Sequence, residues 1–179
     1  MTYADGSLPR ILITGGTGTL GYALTKTFLA EGFSLGILSR DAHKQVAYHN
    51  QFPDVELFLG DIRDSEVVAR AVKGRDIVVH AAALKQVDVG QTQPLEFKSV
   101  NVDGAEQVAR QCQLAGVRKC LFISSDKAAA PLNFYGQTKA LAEYLWLSHT
   151  TPTTLFSAVR YGNVMGSNGS VIPIWQQQI

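Results

Sequence analysis

The chain has 179 residues, of which 46% are hydrophobic, and a formal charge of +1. That length holds one domain with a substantial core, and the composition excludes both a charge-rich disordered chain and a strongly basic nucleic-acid binder. No apolar run reaches the roughly 18 residues that span a bilayer, and Met1 to Arg10 carries Asp5 and Pro9 where a secretory leader has a basic start and an apolar stretch. A cytoplasmic protein is expected, with neither a membrane nor a nucleic acid as partner.

Short apolar runs alternate with stretches of helical periodicity, the rhythm of parallel strands joined by helical crossovers. Strands are expected at Arg10–Thr14, Ser34–Ser39, Val55–Leu59, Asp76–His80, Lys119–Ser124 and Thr154–Arg160. Helices are expected at Gly18–Glu31, Ala42–Asn50, Asp64–Val72, Pro94–Ala115 and Tyr135–His149, with Gly32 and Gly116 at left-handed C-caps. The fold class is α/β: a doubly wound parallel sheet (Rossmann fold) in three α/β/α layers. Residues 1–9 read as a tail, 10–161 as an NAD(P)-binding domain, and 162–179 as the start of a shortened substrate-binding region. Cys112 and Cys120 fall in a helix and a strand and read as core residues, not as a disulfide.

Between the first strand and first helix lies Gly15-Gly16-Thr17-Gly18-Thr19-Leu20-Gly21, with the spacing Gly15-x-x-Gly18-x-x-Gly21. Glycines at this spacing permit a tight turn and let backbone approach a pyrophosphate at the positive end of the helix. The pattern is weak alone. Here it follows Ile11-Leu12-Ile13 and opens an amphipathic helix, the context in which it predicts dinucleotide binding.

The second strand ends at Ser39-Arg40-Asp41, with Lys44 one helical turn on. Arg40 and Lys44 suit the 2′-phosphate of NADP, which is the cofactor expected; they also read as solvated charges, and Asp41 leaves NAD open. After the third strand, Asp61 and Ile62 stand at the ligand-binding edge, Asp61 as an adenine contact, while Asp64 caps the next helix. Ala81, Ala82 and Ala83 are small enough for a cofactor to lie against their backbone, or for ordinary core packing. No metal site is expected.

Tyr135-Gly136-Gln137-Thr138-Lys139 sets a tyrosine and a lysine four apart on one helix face. A phenol is a poor base at neutral pH, but a nearby ammonium stabilises the phenolate, and the lysine can also hydrogen-bond the nicotinamide ribose.

Together Thr14-Gly15-Gly16-Thr17-Gly18, His80-Ala81-Ala82-Ala83-Leu84-Lys85, Asn101, the Tyr135 and Lys139 pair and Arg160-Tyr161-Gly162-Asn163-Val164 resemble the extended short-chain dehydrogenases. More narrowly, Ser124-Ser125-Asp126-Lys127-Ala128-Ala129 and Gly166-Ser167-Asn168-Gly169-Ser170-Val171-Ile172-Pro173 are similar to the inverting UDP-N-acetylglucosamine 4,6-dehydratases of bacterial surface-sugar pathways. The resemblance implies an internal redox cycle on a UDP-sugar: hydride leaves C-4 for NADP⁺, water is lost across C-5 and C-6, and hydride returns to C-6.

It further implies Tyr135 as base for the C-4 hydroxyl, Lys139 lowering its pKa, and Ser125 on the same oxygen. Lys127 would remove the C-5 proton and Asp126 help the C-6 hydroxyl depart. Lys85 and Asn101 would join the cofactor contacts, Lys85 and Asn163 the substrate contacts, and a homodimer would form through the helices at Pro94–Ala115 and Tyr135–His149. The chain departs from the family at Gln86-Val87-Asp88-Val89-Gly90-Gln91, where relatives carry His and Pro early and Glu late, and it stops where their smaller C-terminal region begins. Three functions stay open: a 4,6-dehydratase completed by another chain, an epimerase or reductase for another sugar nucleotide, and a non-catalytic NADP-binding module. An epimerase has no use for an added acid/base pair, so Asp126-Lys127 separates the first two.

Overall fold

The computed structural model describes residue 6 and residues 8–164. Six strands, β1 (Arg10–Thr14), β2 (Ser34–Ser39), β3 (Glu56–Leu59), β4 (Ile77–His80), β5 (Lys119–Ser125) and β6 (Leu155–Tyr161), pair in parallel in the order β3-β2-β1-β4-β5-β6. The helices are α1 (Thr19–Ala30), α2 (Ala42–Gln51), α3 (Ser65–Val72), α4 (Val87–Thr92), α5 (Pro94–Lys98), α6 (Gly104–Leu114) and α7 (Phe134–Ser148).

Successive strand residues point to opposite faces, so a sheet covered on both sides needs apolar side chains at nearly every position. Leu12, Leu38, Val78, Phe122 and Phe156 pack on one side with α3, α6 and α7, around Val68, Val108 and Trp146. Ile11, Ile13, Leu35, Ile37 and Val79 pack on the other with Tyr48 of α2 and Leu24 of α1. Trp146 has no exposure and touches Phe122 and Phe156 at 5.5 and 5.2 Å between ring centres. Truncating it to Ala removes about 3–5 kcal/mol.

Every expected strand is present, with ends moved by a residue: β3, β4 and β6 begin one later, and β5 and β6 end one later. Gly32 and Gly116 take φ of +84° and +70° at the ends of α1 and α6. The expected helix 94–115 is instead three segments, because a π-helical turn at Ser99–Asp103 separates α5 from α6 and turns Asn101 inward. Helix α4 forms in a stretch where no element was expected; it is six residues long and contains Gly90, which packs against the Phe97 ring, where a Cβ would meet ring carbon at 3.1 Å. Among the described residues no helix is long and apolar enough to cross a membrane. Of the expected substrate region 162–179 only 162–164 are described, and the 166–173 motif lies outside the described residues.

Candidate functional site

Strand order reverses between β1 and β4, and the chain leaves these two strands in opposite directions, opening a crevice at their carboxyl ends. A cavity of about 870 Å³ occupies it.

At its centre the loop after β1 lies directly on the exit of β4. Gly15 has φ +70°, and a Cβ there would fall 2.8 Å from the Cα of Ala82; one on Gly21 would fall 2.4 Å from the Cα of Gly16. Gly18 N-caps α1 with no side-chain hydrogen bond, and the first turn holds no acid. The helix end therefore presents its N–H groups and partial positive charge to the cavity, an arrangement that fits a pyrophosphate. Gly15, Thr17, Gly18, Thr19, Leu20 and Gly21 all line the wall, and opposite them stand Ala81, Ala82, Ala83 and the exposed Lys85.

One end of the cavity is formed by Ser39, Arg40, Lys44, Asp61 and Ile62. Ser39 is buried, its hydroxyl accepting from Gln45 Nε2 at 3.0 Å, so it shapes the wall through its backbone. Asp41 N-caps α2, accepting from the Lys44 N–H at 3.0 Å, and that bond, with the Lys44 ammonium at 3.3 Å, holds its carboxyl below the usual range. Its side chain is thus committed to the helix, whereas Arg40 projects into solvent at the rim, 3.9 Å from Asp61.

Asp61, expected as an adenine contact, lines the cavity wall. The Arg63 guanidinium grips both its oxygens at 2.9 and 2.8 Å and holds its carboxyl below the ordinary value, so an adenine amine must share an oxygen already bonded. Arg63 also reaches Glu96 at 3.0 Å, tying this end to α5.

The expectation for Asn101 is corrected. Instead of lining the cavity it is buried, with Oδ1 accepting from Leu84 N at 2.8 Å and Nδ2 donating to Leu84 O at 2.9 Å and Thr138 Oγ1 at 3.1 Å. Both of its amide hydrogens and one of its oxygen's two lone pairs hold the 84–85 segment against α7.

At the other end of the cavity stand Ser125, Lys127, Tyr135 and Asn163. β5 runs into a 3₁₀ turn at Asp126–Ala128, which keeps the first three polar residues of this stretch together. Ser125 Oγ donates to Asp126 Oδ1 at 2.9 Å; the Lys127 ammonium donates to the same oxygen and to Asn163 Oδ1, each at 3.2 Å. The Ser125 hydroxyl and then Lys127 hold the Asp126 carboxyl below its ordinary range. Asp126 lies at the edge of this group without lining the cavity wall.

Tyr135 meets Ser125, and Lys139 lies one helical turn further along α7. Burial pushes the phenol up, with the Ser125 hydrogen bond opposing it. Lys139 is itself buried beneath the wall, donating to the Ile123 carbonyl at 2.7 Å and lying 3.9 Å over the Phe122 ring, and burial brings its pKa down to about 7. Its expected contact with the nicotinamide ribose is therefore not prepared here.

Wall residues not singled out in the sequence include Gln86, Val87 and Asp88 at the start of α4, and Tyr161, which faces Ser125 across the β5–β6 ladder. Tyr161 lies one residue beyond the expected end of its strand, and no element was expected where α4 forms, since Gly90 hides the short helix.

A family model described as polysaccharide biosynthesis protein matches residues 11–179. The chain is 40% identical to a UDP-N-acetylglucosamine 4,6-dehydratase (inverting) of Campylobacter jejuni, over 95% of its own length and 53% of that protein's. It is 41% identical to a UDP-glucose 4-epimerase of Rickettsia bellii, over 94% and 53% respectively. Among solved structures, Pen from Bacillus thuringiensis superposes with a TM-score of 0.93 at 36% identity, over 96% of this chain and 55% of that one. The chain thus spans about half the length of the curated relatives it matches.

Proposed function

The chain belongs to the polysaccharide biosynthesis protein family, and from that premise we propose that it is the nucleotide-binding part of a nucleotide-sugar 4,6-dehydratase acting on UDP-N-acetylglucosamine or a related UDP-hexose. The glycine loop holds the pyrophosphate of a nicotinamide dinucleotide. Arg40 and Lys44, beside an Asp41 already spent on its helix, favour NADP over NAD. The chemistry this cofactor supplies when bound is hydride uptake from sugar C-4 and its return at C-6.

The remaining work falls to the side chains. Tyr135 takes the C-4 hydroxyl proton while Ser125 hydrogen-bonds the same oxygen, and Lys139 charges the helix face beneath them. Lys127 removes the C-5 proton and Asp126 protonates the departing C-6 hydroxyl. These last roles need a neutral amine and a protonated acid, whereas the two rest as an ion pair at 3.2 Å. A bound sugar excludes water, which penalises both charges and drives the proton from Lys127 Nζ to Asp126 Oδ1.

The observation that carries the reading is this Asp126–Lys127 pair at the tyrosine end of the cavity, bonded to both Ser125 and Asn163. The test is incubation with UDP-N-acetylglucosamine and NADP⁺, followed by mass spectrometry. A product lighter by one water, absent with Lys127→Ala, supports the dehydratase; an isomer of unchanged mass overturns it in favour of a 4-epimerase, the second reading, which rests on the equally similar Rickettsia relative. No product with NADP⁺ still bound leaves a cofactor-binding module. A homodimer belongs to the same proposal: α7 turns Leu141, Tyr144 and Leu147 to solvent, an apolar face suited to a second copy, and light scattering measures the mass.

A further inference from the structure

Tyr135, Lys139 and Glu143 follow one another at four-residue intervals along one face of α7. Glu143 is mostly covered, its side chain 14% exposed, and the Arg160 guanidinium of β6 forks its carboxylate with bonds of 2.8 and 3.0 Å. Arg160 pairs in the β ladder with Ser124, and its neighbour Tyr161 pairs with Ser125, so the fork anchors α7 to the sheet beside the reacting groups.

We propose that Glu143, fixed by Arg160, is a positioning residue that acts as counter-ion to the Lys139 ammonium and so keeps a positive charge beneath Tyr135. The proposal deepens the dehydratase reading, on which the role of Tyr135 rests. Lys139 has little else to hold its charge. From β5 it meets the neutral Ile123 carbonyl and the Phe122 ring; from β4 it faces His80, which burial keeps neutral with a pKa of about 3; from its own helix it faces the Tyr135 phenol and Glu143. Arg160, from β6, reaches it only through the Glu143 carboxylate.

Burial opposes charge on Lys139 and Glu143 works against that burial. Burial likewise pushes Glu143 up, but the Arg160 fork and the surrounding positive charge outweigh it, so the carboxylate stays ionised. The geometry thus lets Arg160 do two opposing things: it orients the carboxylate and also dilutes the negative charge that Lys139 senses.

This gives a test that a purely structural role would fail. With lysines labelled by ¹³C at Cε, the titration of Lys139 is followed by NMR and assigned by its loss in Lys139→Met. In Glu143→Gln, which keeps the shape and drops the charge, the midpoint falls by about one pH unit or more. In Arg160→Gln it rises, because the undiluted carboxylate now faces Lys139. Midpoints that stay in place, or that move together, overturn the proposal. Should Glu143→Gln fail to fold, Glu143→Met is titrated in its place, a fall in the Lys139 midpoint supporting the proposal and no fall overturning it. The titration uses neither cofactor nor sugar, so it is independent of the water-loss assay. Where that assay yields product, the alkaline limb of its pH profile moves to lower pH in Glu143→Gln.

Discussion

Thr14 and His80, the last residues of β1 and β4, join side chains at 2.7 Å across the line where strand order reverses. The imidazole is sandwiched between Phe122 and Trp146, at 5.6 and 5.3 Å between ring centres, and Nε2 is buried with no hydrogen-bond partner. The site's floor thus contains a ring that must stay neutral for the fold to hold.

The consequence is a pH-dependent stability. His80 has a pKa of about 3 in the fold, chiefly from burial, against 6.5 when unfolded, so between those values the unfolded chain binds the extra proton. Stability therefore rises with pH across that window, by up to about 1.4 kcal/mol per pH unit, and gains nothing from this group above it. Lys139, at about 7 folded and 10.5 unfolded, adds a second rise over its own window. Urea unfolding between pH 4 and 10 measures both; His80→Phe removes the acid slope and Lys139→Met the alkaline one.

Gly18 and Gly21 separate binding from folding. A Cβ on Gly21 meets Gly16 backbone at 2.4 Å, so Gly21→Ala forces the loop off the helix and lowers stability by about 1–3 kcal/mol. A Cβ on Gly18 meets only the Gly15 carbonyl, at 3.2 Å, and otherwise enters the open cavity. Gly18→Ala is expected to melt near wild type yet lose dinucleotide binding, read by calorimetry alongside thermal unfolding.

Asn101→Ala leaves the half-buried Leu84 N–H and carbonyl without their side-chain partner and takes one donor from the Thr138 hydroxyl, which keeps its bond to the Tyr135 carbonyl. Unsatisfied buried groups of this kind cost about 1–3 kcal/mol each, and a total loss of about 2–4 kcal/mol is expected after local relaxation. Cofactor affinity falls as well, because the freed 84–85 segment carries Lys85 at the cavity wall. Denaturant unfolding and a binding titration on the same variant check both parts.

The proposed preference for NADP over NAD rests on Arg40 and Lys44 at the cavity wall. Replacing both with Ala removes the charged donors for a 2′-phosphate, so NADP⁺ affinity drops about tenfold or more while NAD⁺ affinity changes less than about twofold. Equal losses for both cofactors would place the pair outside the phosphate site. Fluorescence titrations with each cofactor distinguish these results.

The strand succession, helices α1, α2, α3 and α7, the glycine loop and the Tyr135 and Lys139 pair were determined by the sequence alone, since each is written in local periodicity or in spacing along one helix, whereas α4 and the break between α5 and α6 were not. Ser125 and Lys127, singled out in the sequence only by resemblance to the family, line the cavity where β5 reaches the carboxyl edge of the sheet. Only the tertiary structure decided what those residues are bonded to. Asp61 is taken by Arg63, Asn101 by the Leu84 backbone, Lys139 by the Ile123 carbonyl, and Glu143 by Arg160 from a distant strand. The physical reason is that period and spacing place a side chain on a face, whereas its charge and hydrogen-bond partners come from whichever other elements pack against that face. Burial and partnership, which set the pKa of Lys139 and His80, exist only once the sheet has closed over them.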